Sequence, residues 1–335
     1  MEINSIEIPI KINVVIQTYN RPQELHKCID SLLKSDYSNI DLKIFIYDNN
    51  SDVSPVEIIK KFKNISNKIF LYRHKKNIGG DPNTWFAIED QIKRNSDYIS
   101  FISDDDYVLP NYFNEMKNFL NIKNDIVLNH SSIVHNHNRN LFEIRSLPSR
   151  KLNFNIKKNN KFIGMVDSKV FSSFTINTSL AKKSFNAFKN HFLNQKYLMY
   201  RYPLCALSSF TNEYIFIKTP TYIHAFENTT FWGEINYYQD FFINRIEMFN
   251  DCHLLGAYDL EMRNSLIIDF LSGQKLTFLI NLFLKNRKTI KPFNILQINK
   301  LILRLLISKI SYIIRTIGKI FIKIDNLLFK AIGPY

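Results

Sequence analysis

The pattern that most constrains this fold is a regular alternation of apolar runs and helical segments over the first 110 residues. The strand-like runs are 12–17, 42–47, 69–72 and 98–102. Between them, apolar side chains recur at helical spacing, as in Leu25, Ile29 and Leu32. Strands that alternate with helices in this way predict an α/β fold, with a mostly parallel sheet flanked by helices.

Polar residues follow each of these four strands. The four polar segments are Thr18–Arg21, Asp48–Ser51, Asn77–Asp81 and Asp104–Asp106. Ligands of parallel α/β sheets bind beyond the carboxyl ends of the strands, so all four segments are expected along one edge. The first strand is not followed by GxGxxG or GxxxxGK[ST], which argues against a dehydrogenase and against a P-loop enzyme.

Three consecutive carboxylates, Asp104, Asp105 and Asp106, end the fourth strand, and Pro110 follows at the start of a helix. Adjacent carboxylates repel one another, and a divalent cation would remove that cost. Oxygen ligands suit Mg²⁺ or Mn²⁺. The alternative interpretation is a solvated acidic turn without a ligand.

These pieces together resemble a known family. The segments 15–21, 46–51, 77–80 and 103–106, with Pro110 behind the last, are similar to the nucleotide-sugar-binding half of a GT-A glycosyltransferase of family 2, a large inverting family. The resemblance covers residues 12–120. It implies a GT-A fold, which is a Rossmann-like mixed sheet, mostly parallel and flanked by helices. It also implies a hexosyl- or deoxyhexosyltransferase.

The resemblance implies a role for each donor-side residue. Tyr19, in the segment that also holds Thr18, Asn20 and Arg21, would face the nucleobase, and Asp48 would accept a hydrogen bond from it. The alternative for Asp48 is a turn-forming aspartate. Asn77, Gly79 and Gly80 would let the backbone approach the donor diphosphate or sugar, because glycine permits close contact. The alternative for them is a plain strand-to-helix loop.

Two registers are possible for the metal motif that the family implies. Counting back from Pro110, Asp105 is the metal ligand and Asp104 contacts the ribose. Taken literally, Asp104–Asp106 is itself a DxD sequence, with Asp106 as the ligand. We prefer Asp105 as the metal ligand and retain Asp106 as the alternative ligand. The Mn²⁺ or Mg²⁺ ion would bridge the two phosphates and stabilise the charge of the departing nucleoside diphosphate.

Inverting transfer also needs a general base for the acceptor hydroxyl. The family normally supplies an Asp or Glu some distance after the metal motif, but this chain has neither between Asp167 and Glu213. His191 is the sole histidine in that interval. The candidates for the base are therefore His191, Asp167, Glu213, Glu227 and Asp240. A lone histidine can also be purely structural.

The 335 residues are predicted to form a catalytic domain over 1–230, with a donor half (1–122) and an acceptor half (123–230). A helical segment over 231–290 and a tail over 291–335 follow. Within the catalytic domain, helices are predicted from Val56 to Phe62, from Asp81 as the N-cap, and over 111–121. A polar loop is predicted over 136–166 and a strand over 171–180, and the segment 219–227 resembles the strand and turn that close the catalytic domain in this family. Residues 285–335 carry eleven Lys and Arg against Asp325 alone, which is +10 of the net charge of +14. Polar residues recur in this tail at helical spacing from Lys300 to Lys330.

This spacing predicts a basic amphipathic helix over 300–330 that lies on an anionic membrane surface. A core helix with a solvated basic face is the alternative. Nucleic-acid binding is disfavoured, because the tail has only scattered aromatic residues for stacking. We expect no signal peptide and no transmembrane helix. The odd, widely spaced cysteines indicate reduced thiols of a cytosolic protein.

These observations predict a metal-dependent glycosyltransferase, peripheral on the inner face of the cell membrane. The family resemblance, together with the basic tail, implies that its acceptor is a lipid-linked saccharide used in O-antigen, capsule or lipooligosaccharide assembly. Two alternative functions are also consistent with the sequence. A sugar-nucleotide pyrophosphorylase has a similar sheet but needs a Gly-rich basic loop after the first strand. A non-catalytic membrane-bound scaffold of the same fold would explain the missing carboxylate base.

Overall fold

The computed structural model describes residues 8–120, 126–136, 141–145, 174–192, 210–211 and 213–226, together with part of 246–267. The chain divides into two compact units, Met1–Tyr258 and Asp259–Tyr335. The predicted boundaries near 230 and 290, and the tail 291–335, lie outside the described residues and stay predictions.

In the described part of the chain, nine strands form one mixed sheet. Their order is β3-β2-β1-β4-β8-β6-β9-β5, and β7 pairs with β6. The strands are β1 (Ile10–Thr18), β2 (Ile40–Asp48), β3 (Ile69–Arg73), β4 (Tyr98–Ser103), β5 (Tyr107–Val108), β6 (Ile126–Asn136), β7 (Leu141–Arg145), β8 (Phe174–Asn177) and β9 (Glu213–Phe226). The first four strands are parallel, as predicted, whereas β8 runs antiparallel to both β4 and β6.

Helices cover both faces of the sheet, and the first three of them connect the parallel strands. They are α1 (Pro22–Lys34), α2 (Val56–Ile59), α3 (Gly80–Gln91), α4 (Tyr112–Lys117) and α5 (Thr178–Phe192), and a 3₁₀ segment (Lys60–Lys68) follows α2. Pro22 occupies the first turn of α1, where its fixed φ is favourable and its missing N–H is not needed.

The alternation of side chains along β1 and β2 divides the core between the two faces. Ile12, Val14 and Ile16 pack with the buried side of α1, whereas Val15 and Phe45 pack with α3 and α5. Successive side chains of a strand point to opposite faces, so a strand buried on both sides is apolar throughout. This explains the continuous apolar runs in the sequence.

The strand register brings the predicted site segments together. Thr18 lies beside Asp48 in β2, and Asp48 lies beside Arg73 in β3. On the other side of β1, Gln17 lies beside Ser103, the last residue of β4. The carboxyl ends of all four parallel strands therefore meet at one edge, as the sequence predicted. We call it the site edge.

Several predicted elements differ from the structure. The helix predicted from Val56 to Phe62 is a single α-turn that continues as 3₁₀, because Phe62 leaves helical geometry at φ −99° and ψ 39°. The strand predicted over 171–180 is β8, and the chain turns into α5 at Thr178. The predicted loop 136–166 contains β7.

Two helix boundaries are also corrected. We expected Asp81 to cap α3 and Pro82 to be its first residue, but the helix begins two residues earlier, at Gly80, because Gly79 has the non-helical φ of +90°. The helix predicted over 111–121 is shorter, Tyr112–Lys117. None of the helices in the described ranges combines the length and the apolar character that crossing a bilayer requires. Among the described residues, Cys28 and Cys252 are buried and are not joined in a disulfide.

Candidate functional site

The acidic cluster at the end of β4 is held by an arginine from the neighbouring loop. Arg21 Nη1 lies 2.5 Å from Asp105 Oδ2 and 3.4 Å from Asp104 Oδ1. The Ser103 hydroxyl donates to the other oxygen of Asp105, Oδ1. The Asp105 side chain is 16% exposed and that of Asp104 is 7% exposed. Asp105 is therefore the more accessible carboxylate of this pair.

The third carboxylate has a different partner. His224 Nδ1, from β9, lies 2.9 Å from Asp106 Oδ1, and the Asp106 side chain is 1% exposed. The contact arises because β9 pairs with β5, which begins at Tyr107, directly after Asp106. His224 is a site residue that the sequence analysis missed. A histidine in the strand-like segment 219–227, which the family resemblance had already marked as closing the domain, was the available signal.

The three carboxylates of this cluster outnumber the cationic side chains that the described contacts pair with them, and burial and mutual repulsion disfavour their ionised forms. Burial, followed by the charge of Asp105, raises the pKa of Asp104 from 3.8 to about 7, although Arg21 and a hydrogen bond from Thr18 act in the opposite direction. The pKa of the Cys28 thiol beneath the cluster is raised well above its ordinary value, by burial first and then by the three carboxylates. A bound cation would relieve this excess charge.

The donor set of this cluster suits a hard divalent cation. Carboxylate oxygens are the ligands that Mg²⁺ and Mn²⁺ prefer, and Mg²⁺ commonly takes one or two carboxylates and completes its shell with substrate phosphates and water. In the described ranges, no three His, Cys, Asp or Glu side chains are arranged to hold a metal ion by themselves. The residues present fit a cation that is shared with a phosphate ligand.

A reciprocal contact fixes the loop after β1. Asn20 Nδ2 donates to Asp52 Oδ2 at 3.1 Å, and the Asp52 backbone N–H donates to Asn20 Oδ1 at 2.7 Å. The Asn20 backbone N–H donates to Ser51 Oγ at 2.8 Å. Between these fixed points and β1, Tyr19 is 44% exposed. An exposed aromatic ring on a fixed backbone can stack against a planar ligand.

Asp48 is completely buried, and its carboxylate contacts protein groups on both oxygens. Its Oδ1 accepts hydrogen bonds from the backbone N–H and the hydroxyl of Ser51 at 3.0 and 2.5 Å. Its Oδ2 lies 3.3 Å from Arg73 Nε, as an ion pair without an aligned hydrogen bond. Arg73 also donates to the carbonyl of Ser51. These contacts stabilise the loop after β2.

The loop that precedes α3 is held by two asparagines. Asn49 Nδ2 donates to Asn77 Oδ1 at 2.8 Å, and Asn49 Oδ1 accepts from the backbone N–H of Ile78 at 2.9 Å. Asn77 Oδ1 also accepts from the Gly79 N–H at 2.8 Å. Gly79 needs its φ of +90°, which L-residues with a side chain rarely adopt. The loop thus keeps Gly79 and Gly80 at the site edge, where Gly80 is exposed and Gly79 is partly exposed.

Two of the base candidates, His191 and Glu213, lie in the described part of the chain, and they lie at opposite edges of the sheet. Thr178 N–H donates to the carbonyl of Asp97, so α5 starts at the edge opposite the site edge. Its fifteen residues rise about 22 Å back along the sheet. Trp85 of α3 stacks on Phe185 of α5 at 4.5 Å between ring centroids. The backbone of His191 therefore lies towards the site edge.

Glu213 lies at the edge of the sheet opposite the site edge. It is the first residue of β9, which runs parallel to β6, and His224 near the other end of β9 contacts the acidic cluster. The two residues are eleven positions apart along an extended strand, which corresponds to roughly 36 Å. Asp167, Glu227 and Asp240 lie outside the described residues.

Comparison with known proteins identifies a family. The model of the family described as "Glycosyl transferase family 2" matches residues 13–186, which is more than half of the chain. The match confirms the resemblance that the four segments at the site edge had indicated.

Individual relatives are similar over a shorter length. The poly(ribitol-phosphate) beta-glucosyltransferase of Bacillus spizizenii is 30% identical over 100 residues, which are 30% of this chain and 15% of the relative. The abequosyltransferase RfbV of Salmonella typhimurium is 29% identical over 118 residues, 35% of this chain and 34% of the relative. The chain spans less than half of the length of the curated relatives it matches.

Among solved structures, S. aureus TarS 1-349 in complex with UDP-GlcNAc has the same fold. The TM-score is 0.56 at 16% identity, and the match covers 78% of this chain and 72% of TarS 1-349. This similarity confirms the predicted GT-A architecture.

Proposed function

Because the chain belongs to glycosyl transferase family 2, we propose that it transfers a hexosyl or deoxyhexosyl group from a nucleotide-sugar donor to a saccharide acceptor in the synthesis of a bacterial surface polysaccharide. The observation that carries the proposal is the convergence of four polar loops at one edge, with Arg21, Asp104 and Asp105 in direct contact. The names of two relatives, an abequosyltransferase and a poly(ribitol-phosphate) beta-glucosyltransferase, support a surface polymer as the product.

The donor would bind across the site edge. The exposed ring of Tyr19 would stack on the nucleobase. Asp48, at the end of β2, would accept a hydrogen bond from the base, and the loop after it would line the base pocket. The backbone of Gly79 and Gly80 would approach the diphosphate or the sugar. TarS, which shares the fold, has been crystallised with UDP and with UDP-GlcNAc, and this supports a nucleotide-sugar donor here.

Asp105 and Asp106 would hold a Mn²⁺ or Mg²⁺ ion, with His224 beside Asp106, and Asp104 would contact the ribose. When bound, the ion supplies electrophilic stabilisation of the departing nucleoside diphosphate. The excess negative charge of the cluster supports this assignment. The protein's own part is to keep the two carboxylate ligands at the end of β4 and to exclude water from Asp104 and Asp106.

Inversion requires a base opposite the leaving group, and we propose His191 for this role. The rise of α5 towards the site edge supports it, whereas Glu213 begins at the other edge. The substitution His191→Gln should lower kcat at least 100-fold. It should also remove the acidic limb of the kcat/KM profile, while Glu213→Gln should alter neither. Retention of that limb in His191→Gln would exclude the histidine.

The acceptor would be a saccharide linked to a membrane lipid, and the basic tail would hold the enzyme at the anionic inner face of the membrane. The support is the charge of +10 on an amphipathic sequence. The full-length protein should co-sediment with vesicles that contain phosphatidylglycerol and not with neutral ones. The double variant Lys319→Glu/Lys323→Glu should bind at least tenfold more weakly. Equal binding to neutral vesicles would contradict an electrostatic tail.

Nucleotide release from candidate UDP-, GDP- and dTDP-sugars in the presence of Mn²⁺ tests the activity. The variant Asp105→Asn should lose at least about 100-fold in kcat. The matched control Asp30→Asn, which removes an exposed carboxylate of α1, should keep wild-type turnover. Pyrophosphate exchange without transfer would instead favour a pyrophosphorylase. The absence of both binding and turnover with every donor would favour a scaffold.

A further inference from the structure

Arg21 is paired with Asp105, the carboxylate proposed above as a metal ligand. Its Nη1 lies 2.5 Å from Asp105 Oδ2, and the same nitrogen lies 3.4 Å from Asp104 Oδ1. The other oxygen of Asp105 already accepts from Ser103, and Asp106 is paired with His224. The guanidinium is therefore a positive charge seated on the more accessible carboxylate of the cluster.

The backbone of Arg21 is fixed on both sides. Asn20 before it is bonded to Ser51 and Asp52, and Pro22 after it begins α1. The Arg21 carbonyl accepts the Leu25 N–H at 3.0 Å, the first hydrogen bond of that helix. The side chain itself is 33% exposed and contains three methylene groups. The guanidinium can thus change partners by side-chain rotation while the loop stays in place.

Two cations on the same carboxylate oxygen repel each other. At separations of about 4 Å, the repulsion between a single and a double positive charge is strong even at an effective dielectric constant of 20. A divalent ion that takes Asp105 Oδ2 must therefore displace Arg21. The displaced guanidinium needs a new anionic partner, because a charged donor that leaves a carboxylate without replacement loses a charge-assisted hydrogen bond.

We propose that Arg21 is an exchangeable counter-ion of Asp105, which yields this carboxylate to the divalent metal only when a nucleoside diphosphate supplies the phosphate oxygens that receive the guanidinium. This inference rests on the metal role proposed above. Arg21 thereby makes the metal and the nucleotide bind together. By linkage, the nucleotide increases the affinity for the metal as much as the metal increases the affinity for the nucleotide.

The test is the binding of Mn²⁺, measured by electron paramagnetic resonance of the free ion, with and without UDP or GDP. For the wild type, the nucleotide should tighten Mn²⁺ binding strongly. The variant Arg21→Met should bind Mn²⁺ alone about tenfold more tightly than the wild type does, because nothing competes for Asp105. The additional tightening caused by the nucleotide should be correspondingly smaller in this variant. The inference is overturned if Arg21→Met binds Mn²⁺ alone no more tightly than the wild type.

Two further variants make the result interpretable. Lys34→Met removes one exposed positive charge from the same helix, where Lys34 pairs with Asp30 at 2.7 Å, and should leave Mn²⁺ affinity unchanged. Arg21→Lys keeps the charge but has a single nitrogen in its head group, and it should show an intermediate affinity for Mn²⁺. If Arg21→Met does not fold, the comparison of Arg21→Lys with the wild type serves as the test. An equal gain in Lys34→Met would reduce the effect to net charge and overturn the inference.

The thermal midpoint without metal provides a second readout. Arg21→Met should melt at a lower temperature than the wild type in metal-free buffer, and Mn²⁺ should restore most of the difference. If no variant binds Mn²⁺ with any nucleotide, the proposed metal function fails together with the inference. If the wild type binds Mn²⁺ with nucleotide and Arg21→Met behaves identically, only the counter-ion role fails.

Discussion

Asn20 and Asp52 hold the loops after β1 and β2 together by exchanging two hydrogen bonds, of 3.1 and 2.7 Å. Asn20 has a φ of 54°, in the left-handed region that asparagine tolerates better than most residues. Tyr19 and Arg21 stand on either side of it, so this contact sets the positions of two proposed donor-binding residues. Substitutions of Asn20 can therefore distinguish the contribution of the two hydrogen bonds from the strain of the positive φ.

We predict that Asn20→Gly lowers the free energy of unfolding by about 1 kcal/mol, because it removes the two hydrogen bonds but accepts the backbone conformation. Asn20→Ala should cost about 1 kcal/mol more, because alanine is strained at positive φ. Urea unfolding measures both. A double-mutant cycle of Asn20→Gly with Asp52→Ala isolates the bond from Asn20 Nδ2 to the Asp52 carboxylate, because the Asp52 backbone N–H is retained in Asp52→Ala. A coupling energy near zero would contradict that side-chain bond.

Tyr47 organises a buried polar network below the site. Its hydroxyl donates to Asp90 at 2.5 Å and accepts from Gln91 Nε2 at 2.6 Å, and Gln91 in turn accepts from Asn13 at 2.7 Å. Burial and the Asp90 carboxylate raise the pKa of Tyr47 above its ordinary value, so the hydroxyl stays protonated. Gln91 is completely buried and has few alternatives for its N–H groups.

We therefore predict that Tyr47→Phe lowers the free energy of unfolding by about 1–3 kcal/mol, since it deprives a buried donor of its acceptor. Tyr72→Phe is the matched control, because Tyr72 is 44% exposed, and it should cost less than about 0.5 kcal/mol. Chemical denaturation of both variants provides the comparison. Equal losses would mean that the network does not contribute.

Asp36 gives a prediction for acidic pH. Hydrogen bonds from the Ser38 hydroxyl, from Asn114 and from the Ser38 backbone lower the pKa of Asp36 from 3.8 to about 2. A depressed carboxyl pKa stabilises the folded state at pH values above the unfolded pKa, and this contribution is lost as the pH falls from about 4 to about 2. The carboxyl resonance of Asp36 should accordingly titrate near pH 2. Asn114→Ala should move that titration upwards, and an unchanged midpoint would contradict the assignment.

The sequence was sufficient to predict the parallel half of the sheet and the site edge, because both depend on local patterns. Strand-like runs and the polar residues after them are visible in the chain order, and parallel strands necessarily align their carboxyl ends. The break at Phe62 was not predictable, since its apolar spacing also fits a continuous helix. The start of α3 was also not predictable, because it depends on the positive φ of Gly79, which the spacing of residues in the sequence does not indicate.

Long-range charge pairing was the other limit. The sequence placed Arg21 and Asp105 at the same edge but did not show that they touch. The contact between Asp106 and His224 joins residues 118 positions apart, and it depends on the pairing of β5 with β9. Such pairs follow from the antiparallel half of the sheet, whose order β8-β6-β9-β5 is not determined by local periodicity.

Gly79 and Gly256 form a natural matched pair for testing the loop before α3. Both have positive φ, +90° and +78°, and neither is sterically crowded. A Cβ on Gly79 would lie 3.6 Å from Pro82 Cδ, and a Cβ on Gly256 would meet nothing within 4 Å. Alanine at either position therefore costs backbone strain rather than a clash, about 1–2 kcal/mol of unfolding free energy.

The two alanine variants should differ in donor binding. Gly79→Ala strains the backbone that is proposed to approach the donor, and it should raise the KM for the nucleotide sugar about tenfold. Gly256→Ala should lose similar stability and keep its KM, because that turn belongs to none of the four loops of the site edge. Parallel urea unfolding and initial-rate kinetics measure both effects. A KM that rises equally in both variants would show that the loss reflects general destabilisation and not the geometry of the loop.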